Sequence, residues 1–128
     1  MGNAKTALER AQWLGDQAGE TGFDWERAED ALKKVSEEVE EVRQALERRD
    51  VVAIEDELGD LLFAAAMVAR KAGVAAEGAL ERANEKFQRR FEGVERMLIA
   101  AGSSLEEATL EEMEDMWQRI KRAERVDT

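Results

Sequence analysis

The sequence predicts an all-α protein, an antiparallel helical bundle, on three observations. No proline interrupts the chain, and strand-favouring aromatics are few, with four phenylalanines, three tryptophans and no tyrosine. Apolar residues also recur at helical spacing over most of its length, in a composition dominated by Ala, Glu, Leu, Arg and Lys. At 128 residues the chain has the size of a single domain, expected over 1–128. Its 44% apolar and 38% charged content suits narrow amphipathic helices, whose large surface must be covered by charge.

About five helices follow in order. The first is predicted over Ala4 to Gln17, ending in a loop that holds Gly19 and Gly22. Asp24 is placed to cap a second, from Trp25 to Arg49, with an apolar seam of Ala28, Leu32, Val35, Val39, Val42 and Leu46. Asp50 is placed to cap a third, running to Ala72 before Gly73, with its seam at Ile54, Leu58, Leu61, Ala65 and Val68. The fourth covers Ala75 to Ala101 and carries Leu80, Ala83, Phe87, Phe91, Val94 and Leu98 on one stripe. Two capping-box patterns follow, Ser104 with Glu107 and Thr109 with Glu112. The second opens a terminal helix with Leu110, Met113, Trp117 and Ile120 on one face, and Arg125 to Thr128 are expected to fray.

Composition excludes several chemistries. Cysteine and histidine are both absent, so there is no disulfide, thiolate site, histidine zinc site or Ser-His-Asp triad. A net charge of −11 opposes binding along a nucleic-acid polymer. No apolar run reaches the ~18 residues of a membrane span, and the N-terminus shows no signal-peptide core, so no membrane association and a cytoplasmic location are expected.

The acidic residues are patterned. Glu38 and Glu41 lie roughly 80° and 140° to one side of the second helix's seam, and Glu57 and Asp60 have the same offsets from the seam of the third. In an antiparallel pair meeting seam to seam, equal offsets bring both flanks to one side of the pair. Glu41 stands nine residues before Asp50 and Asp60 ten after it, so the two are level. Four carboxylates therefore converge, and their repulsion requires either protonation or a cation. Oxygen-only ligands select Mg²⁺, or Mn²⁺, over zinc. Glu37 and Glu40 point away and are read as solvated charge, the ordinary fate of acids in an acidic helical protein.

The string EEVEE at 37–41, followed by ELGD at 57–60, resembles the EExxE…ExxD signature of the all-α NTP pyrophosphatases. GFDW at 22–25, DELGDLLF at 56–63, ANEKFQRRF at 83–91 and EMEDMWQRIK at 112–121 resemble the MazG family within that group, its C-terminal module in particular. The resemblance implies Mg²⁺-dependent hydrolysis of a nucleoside triphosphate to a nucleoside monophosphate and pyrophosphate, with a house-cleaning role. It implies Glu38, Glu41, Glu57 and Asp60 as metal ligands, with Glu38 also positioning the attacking water. It further implies Asn84, Lys86 and Arg90 as triphosphate contacts and Trp117 and Lys121 as contacts near the nucleotide. Lys86 and Arg90 are four apart on one helical face, so both can reach one phosphate chain. Family members pair as a homodimer or dimer of dimers, and exposed apolar positions such as Val52, Phe63 and Met116 favour such pairing here. Two other readings stand beside this one: a sister pyrimidine-specific dUTPase or dCTPase-like hydrolase, and a non-catalytic helical interaction module.

Overall fold

A computed structural model describes residues 4–127 of the chain. Five α-helices make up the fold: α1 (Ala7–Glu20), α2 (Ala28–Arg48), α3 (Val51–Lys71), α4 (Ala76–Ala100) and α5 (Leu110–Asp127). There is no strand among the described residues. The chain divides into two compact units, residues 1–79 and 80–128.

Helix ends follow local chemistry. Thr6 caps α1 by accepting from the Glu9 amide, which moves the start of the helix past Ala4. Its end also lies later than the pattern predicts, because Gly19 remains helical and Gly22 supplies the left-handed turn, φ 93°. There the Phe23 amide reaches back to the Ala18 carbonyl and the Gly22 amide to Gly19, a Schellman cap. The same pattern closes α3 at Gly73 and α4 at Gly102. Asp24 does not cap α2, which begins at Ala28 after Arg27 and is closed by Asp30 accepting from the Arg27 amide. Asp50 caps α3 as its position predicts, accepting from Ala53. Of the two capping boxes only Thr109–Glu112 is reciprocal and opens a helix. Ser104 accepts from the Glu107 amide in a turn. α5 is helical through Asp127, within the segment expected to fray, and Thr128 lies outside the described residues.

In residues 1–79, α2 and α3 form a helical hairpin through Arg49 and Asp50, and α1 packs on α3. Gly15 permits that second approach: a Cβ there would stand 2.6 Å from Met67 Sδ. Ala66, Met67 and Ala76 are buried at the centre, with Leu8, Ala11, Trp25 and Ala69 packed around them. Gln12 ties the end of α3 to the start of α4, donating to the Ala66 and Val74 carbonyls and accepting from the Ala76 amide.

The hairpin is rotated relative to the seams that the sequence predicts. On α2 the buried residues are Ala31, Glu38 and Ala45, whereas Leu32, Val39 and Leu46 remain 54%, 51% and 55% exposed. Ala28, Val35 and Val42 are half-buried and belong to both lines. On α3 the same displacement buries Ala64 and half-buries Glu57, leaving Leu58 and Ala65 exposed. The contact line thus lies roughly 50° from the richest apolar stripe, toward the acidic flank. Small residues explain the choice, because Ala31, Ala45 and Ala64 let the backbones approach where leucines would hold them apart.

In residues 80–128, Val94 and Leu98 of α4 are buried. Gly93 faces Ile120, where an added Cβ would stand 2.9 Å from Cδ1. Phe87 stacks on Phe91 and tilts against Trp117, with centroids 6.0 and 5.3 Å away. Leu80 and Ala83 at the start of the expected α4 stripe are exposed.

Candidate functional site

Because of the rotation, Glu38 sits at a core register position of α2, one heptad from both Ala31 and Ala45. It is 7% exposed, the one buried charged residue among those described. Across the hairpin it meets α3. One carboxylate oxygen from each of Glu38, Glu57 and Asp60 lies within 4.8 Å of the other two. The Glu57 carboxyl is pushed above its ordinary range, first by partial burial, then by the charges of Glu41, Asp60, Asp56 and Glu38. Glu41 therefore contributes field to the cluster, although its oxygens are outside the three-residue group.

One cation answers these acids. Lys34 Nζ lies 3.2 Å from Glu38 Oε1 and 3.5 Å from Glu37 Oε2, and these contacts hold the lysine above its ordinary pKa. Sequence reasoning passed over Lys34. Its i,i+4 spacing to Glu38 was a readable signal, but Glu38 was taken to stand well off the seam. The donor set suits a hard divalent ion: three converging carboxylates, no softer ligand, and an ammonium already standing in for part of the missing charge.

A second acidic site in the same unit is built differently. Arg70 on α3 holds Asp24 through both guanidinium nitrogens, at 2.9 and 2.8 Å, and donates its Nε to Asp16 at 2.7 Å. Lys71 adds a 3.4 Å contact to Asp24. Arg70 keeps the Asp24 carboxyl far below the usual aspartate range. Two acids thus meet two bases, and the loop after α1 is fastened to the end of α3.

Above that network lies a cavity of about 420 Å³, lined by Leu14, Phe23, Trp25, Phe63 and Met67, with Lys34 on its wall. Its charged walls are engaged elsewhere, Arg70 with Asp24 and Lys34 with Glu38. The Phe23 and Trp25 amides donate to Ala18 and Asp24. Aromatic and aliphatic faces are what it offers a ligand. Lys34 makes it the neighbour of the carboxylate cluster.

The remaining predicted residues lie in the second unit. Asn84 and Lys86 are exposed on α4. Arg90 is half-buried, paired with Glu124 at 2.8 Å, and its guanidinium carbon lies 6.0 Å from the Trp117 ring centroid. Arg90 and then Arg89 hold the Glu124 carboxyl below its ordinary value. Trp117 thus packs with Phe87 while offering a face to Arg90. Lys121, one turn further along α5, is half-buried. The Arg90–Glu124 pairing depends on the packing of two helices and has no signature in either segment alone.

Comparison with known proteins follows the same residues. The family described as the MazG nucleotide pyrophosphohydrolase domain matches residues 26–94, a span that contains the whole carboxylate cluster, Lys34 and Arg90. A nucleoside triphosphate pyrophosphohydrolase of Escherichia coli (strain K12) is 46% identical over 122 residues, 92% of this chain and 46% of the relative. The nucleoside triphosphate pyrophosphohydrolase/pyrophosphatase MazG of Thermotoga maritima is 35% identical over 115 residues, covering 90% of this chain and 44% of its own length. The chain spans about half the length of these curated relatives.

Proposed function

Since this chain belongs to the MazG nucleotide pyrophosphohydrolase domain family, we propose that it hydrolyses nucleoside triphosphates to nucleoside monophosphate and pyrophosphate at the α2–α3 carboxylate cluster. The observation that carries the reading is the convergence of Glu38, Glu57 and Asp60 within 4.8 Å, with Glu38 buried. The names of the relatives supply the reaction class.

In this reading Glu38, Glu57 and Asp60, with Glu41 beside them, hold Mg²⁺, for which Mn²⁺ can substitute. The ion, when bound, supplies Lewis-acid neutralisation of phosphate charge and lowers the pKa of water. Glu38 orients the attacking water and accepts its proton, a task suited to a carboxylate fixed by burial. Water adds across the α–β anhydride: a phosphorus–oxygen bond to water forms, the bridging bond breaks, and the two phosphate products leave. Lys86 and Arg90 offset the charge that accumulates on the phosphates, Arg90 exchanging Glu124 for the substrate. Asn84, Trp117 and Lys121 contact the nucleotide. The cavity bounded by Trp25 and Phe23 takes a nucleoside, to which it offers aromatic and aliphatic faces for stacking.

The exposed line Leu32, Val39 and Leu46 on α2, with Leu62 at 60% and Phe63 at 41% on α3, is the surface a second copy covers in a homodimer or dimer of dimers. Among the described residues no helix is long and apolar enough to cross a membrane. House-cleaning of free nucleotides in the cytoplasm is the role this activity would serve.

The test is pyrophosphate release from a panel of NTPs and dNTPs, with and without Mg²⁺, for wild type and Glu38→Gln. Metal-dependent turnover on several bases, lost in the variant, is the expected result. Turnover confined to one pyrimidine would favour a dUTPase or dCTPase-like specificity. Absence of turnover in folded protein would leave the chain as a non-catalytic helical module.

A further inference from the structure

We propose that Lys34 is a built-in counter-cation for Glu38, displaced when the divalent ion binds, and that it thereby sets the metal affinity of the site. This rests on the metal reading of the carboxylate cluster given above.

Glu38 is the one buried charged residue among those described, and a buried carboxylate without a positive partner is strongly destabilising. The ion pairs of the described residues give the cluster a single positive partner, Lys34, at 3.2 Å from Glu38 Oε1. Against it stand Glu38, Glu57 and Asp60, with the charges of Glu41 and Asp56 acting on Glu57 and that of Glu37 acting on Lys34 itself. The lysine answers Glu38 and leaves the others in excess. It makes the ion-free fold tenable without neutralising the site.

An ammonium and a divalent ion held on one carboxylate repel each other, whichever of its two oxygens each one takes. Entry of the ion therefore expels Lys34 from Glu38. The side chain has somewhere to go. Lys34 is 47% exposed along its side chain and its four-carbon stem is flexible, so the ammonium can turn to solvent. Rotation of that stem alone releases Glu38.

Two consequences have opposite signs, which separates this role from a merely structural one. Removing the lysine charge destabilises the ion-free protein, because Glu38 loses its partner. The same change tightens ion binding, because the ion no longer competes. A lysine that only braced α2 would lower stability and leave affinity unchanged or weaker.

The experiment is calorimetric titration of the full chain with Mg²⁺ or Mn²⁺ alone, without nucleotide, paired with thermal unfolding in EDTA and in saturating metal. The variants are Lys34→Met and Lys34→Gln, with Lys33→Met as a control that removes an exposed charge from the same helix turn. Wild type is expected to bind the ion, both Lys34 variants to bind it roughly tenfold more tightly, and both to melt lower in EDTA with a larger metal-induced rise. Little change is expected for Lys33→Met. Wild-type binding with equal or weaker affinity in folded Lys34 variants overturns the proposal alone. An equal gain in Lys33→Met also overturns it, since the effect would then be general charge. Absence of ion binding in wild type and variants alike overturns the metal reading as well.

Discussion

Residues 1–79 contain two acidic sites that solve the same electrostatic problem in different ways. At the loop after α1, Asp24 and Asp16 meet Arg70 and Lys71, and the charges balance within the protein. At the hairpin, Glu38, Glu57 and Asp60 meet Lys34 only. The first site is complete as folded and its acid is driven toward ionisation. The second retains unbalanced negative charge and its Glu57 is driven toward protonation. An ion-paired latch and an ion-seeking cluster can thus be told apart by the direction in which their carboxyls shift.

The largest effect expected from this contrast is on turnover. Glu38→Gln, Glu57→Gln and Asp60→Asn each remove a charge from the cluster and should lower pyrophosphate release by roughly 100- to 1000-fold, measured at saturating Mg²⁺ and nucleotide. Arg70→Met breaks the other site. With its side chain 12% exposed, Asp16 deprived of Arg70 and Asp24 left with Lys71 alone, it should cost about 2–3 kcal/mol in denaturant unfolding. Asp24→Asn should cost less, about 1–2 kcal/mol, since Asp16 still occupies Arg70.

Acid titration separates the sites by sign. The Asp24 carboxyl is depressed in the folded protein, so the stability it adds is present above the ordinary aspartate range and is lost as pH falls through that range and below. The deficit of Asp24→Asn relative to wild type should therefore be full at neutral pH and shrink in strong acid. Glu57 is raised, so its ionised form opposes folding, and protonation relieves that from somewhat above the ordinary glutamate range downward. In EDTA, Glu57→Gln should be more stable than wild type at neutral pH and converge with it near pH ~4. Melting curves across pH for the two variants check both signs.

The smallest effect concerns Gly59, inside α3 beside Asp60, where an added Cβ would meet nothing within 4 Å of the chain. Gly59→Ala should raise stability by about 0.5–1 kcal/mol through helix propensity, read from the denaturant midpoint.

The helices were legible, and so was the convergence of Glu38, Glu57 and Asp60 though not of Glu41 with them, because both depend on spacing along the chain. Thr109 with Glu112, and Asp50 before α3, announce helix starts through hydrogen bonds confined to one turn. The rotation of the α2–α3 hairpin was not legible. It is decided by how closely Ala31, Ala45 and Ala64 let two backbones approach, a tertiary choice that overrides the larger apolar area of Leu32, Val39 and Leu46. That rotation is what buries Glu38 and gives Lys34 its role. Asp24 was misread for a related reason: its position before α2 fits a cap, while Arg70, 46 residues away, claims its carboxylate. Arg90 with Glu124 is a further pairing of this kind.

The hairpin cluster carries more negative charge than Lys34 offsets, whereas the acids of the Asp24 site are balanced by Arg70 and Lys71. Thermal unfolding against Mg²⁺ concentration, without nucleotide, tests it in wild type, Asp24→Asn and Glu57→Gln. The melting temperature should climb with Mg²⁺ in wild type and by the same increment in Asp24→Asn, from a lower start, while Glu57→Gln gains far less. A flat response in folded wild type, or a rise in Glu57→Gln as large as in wild type, would contradict it.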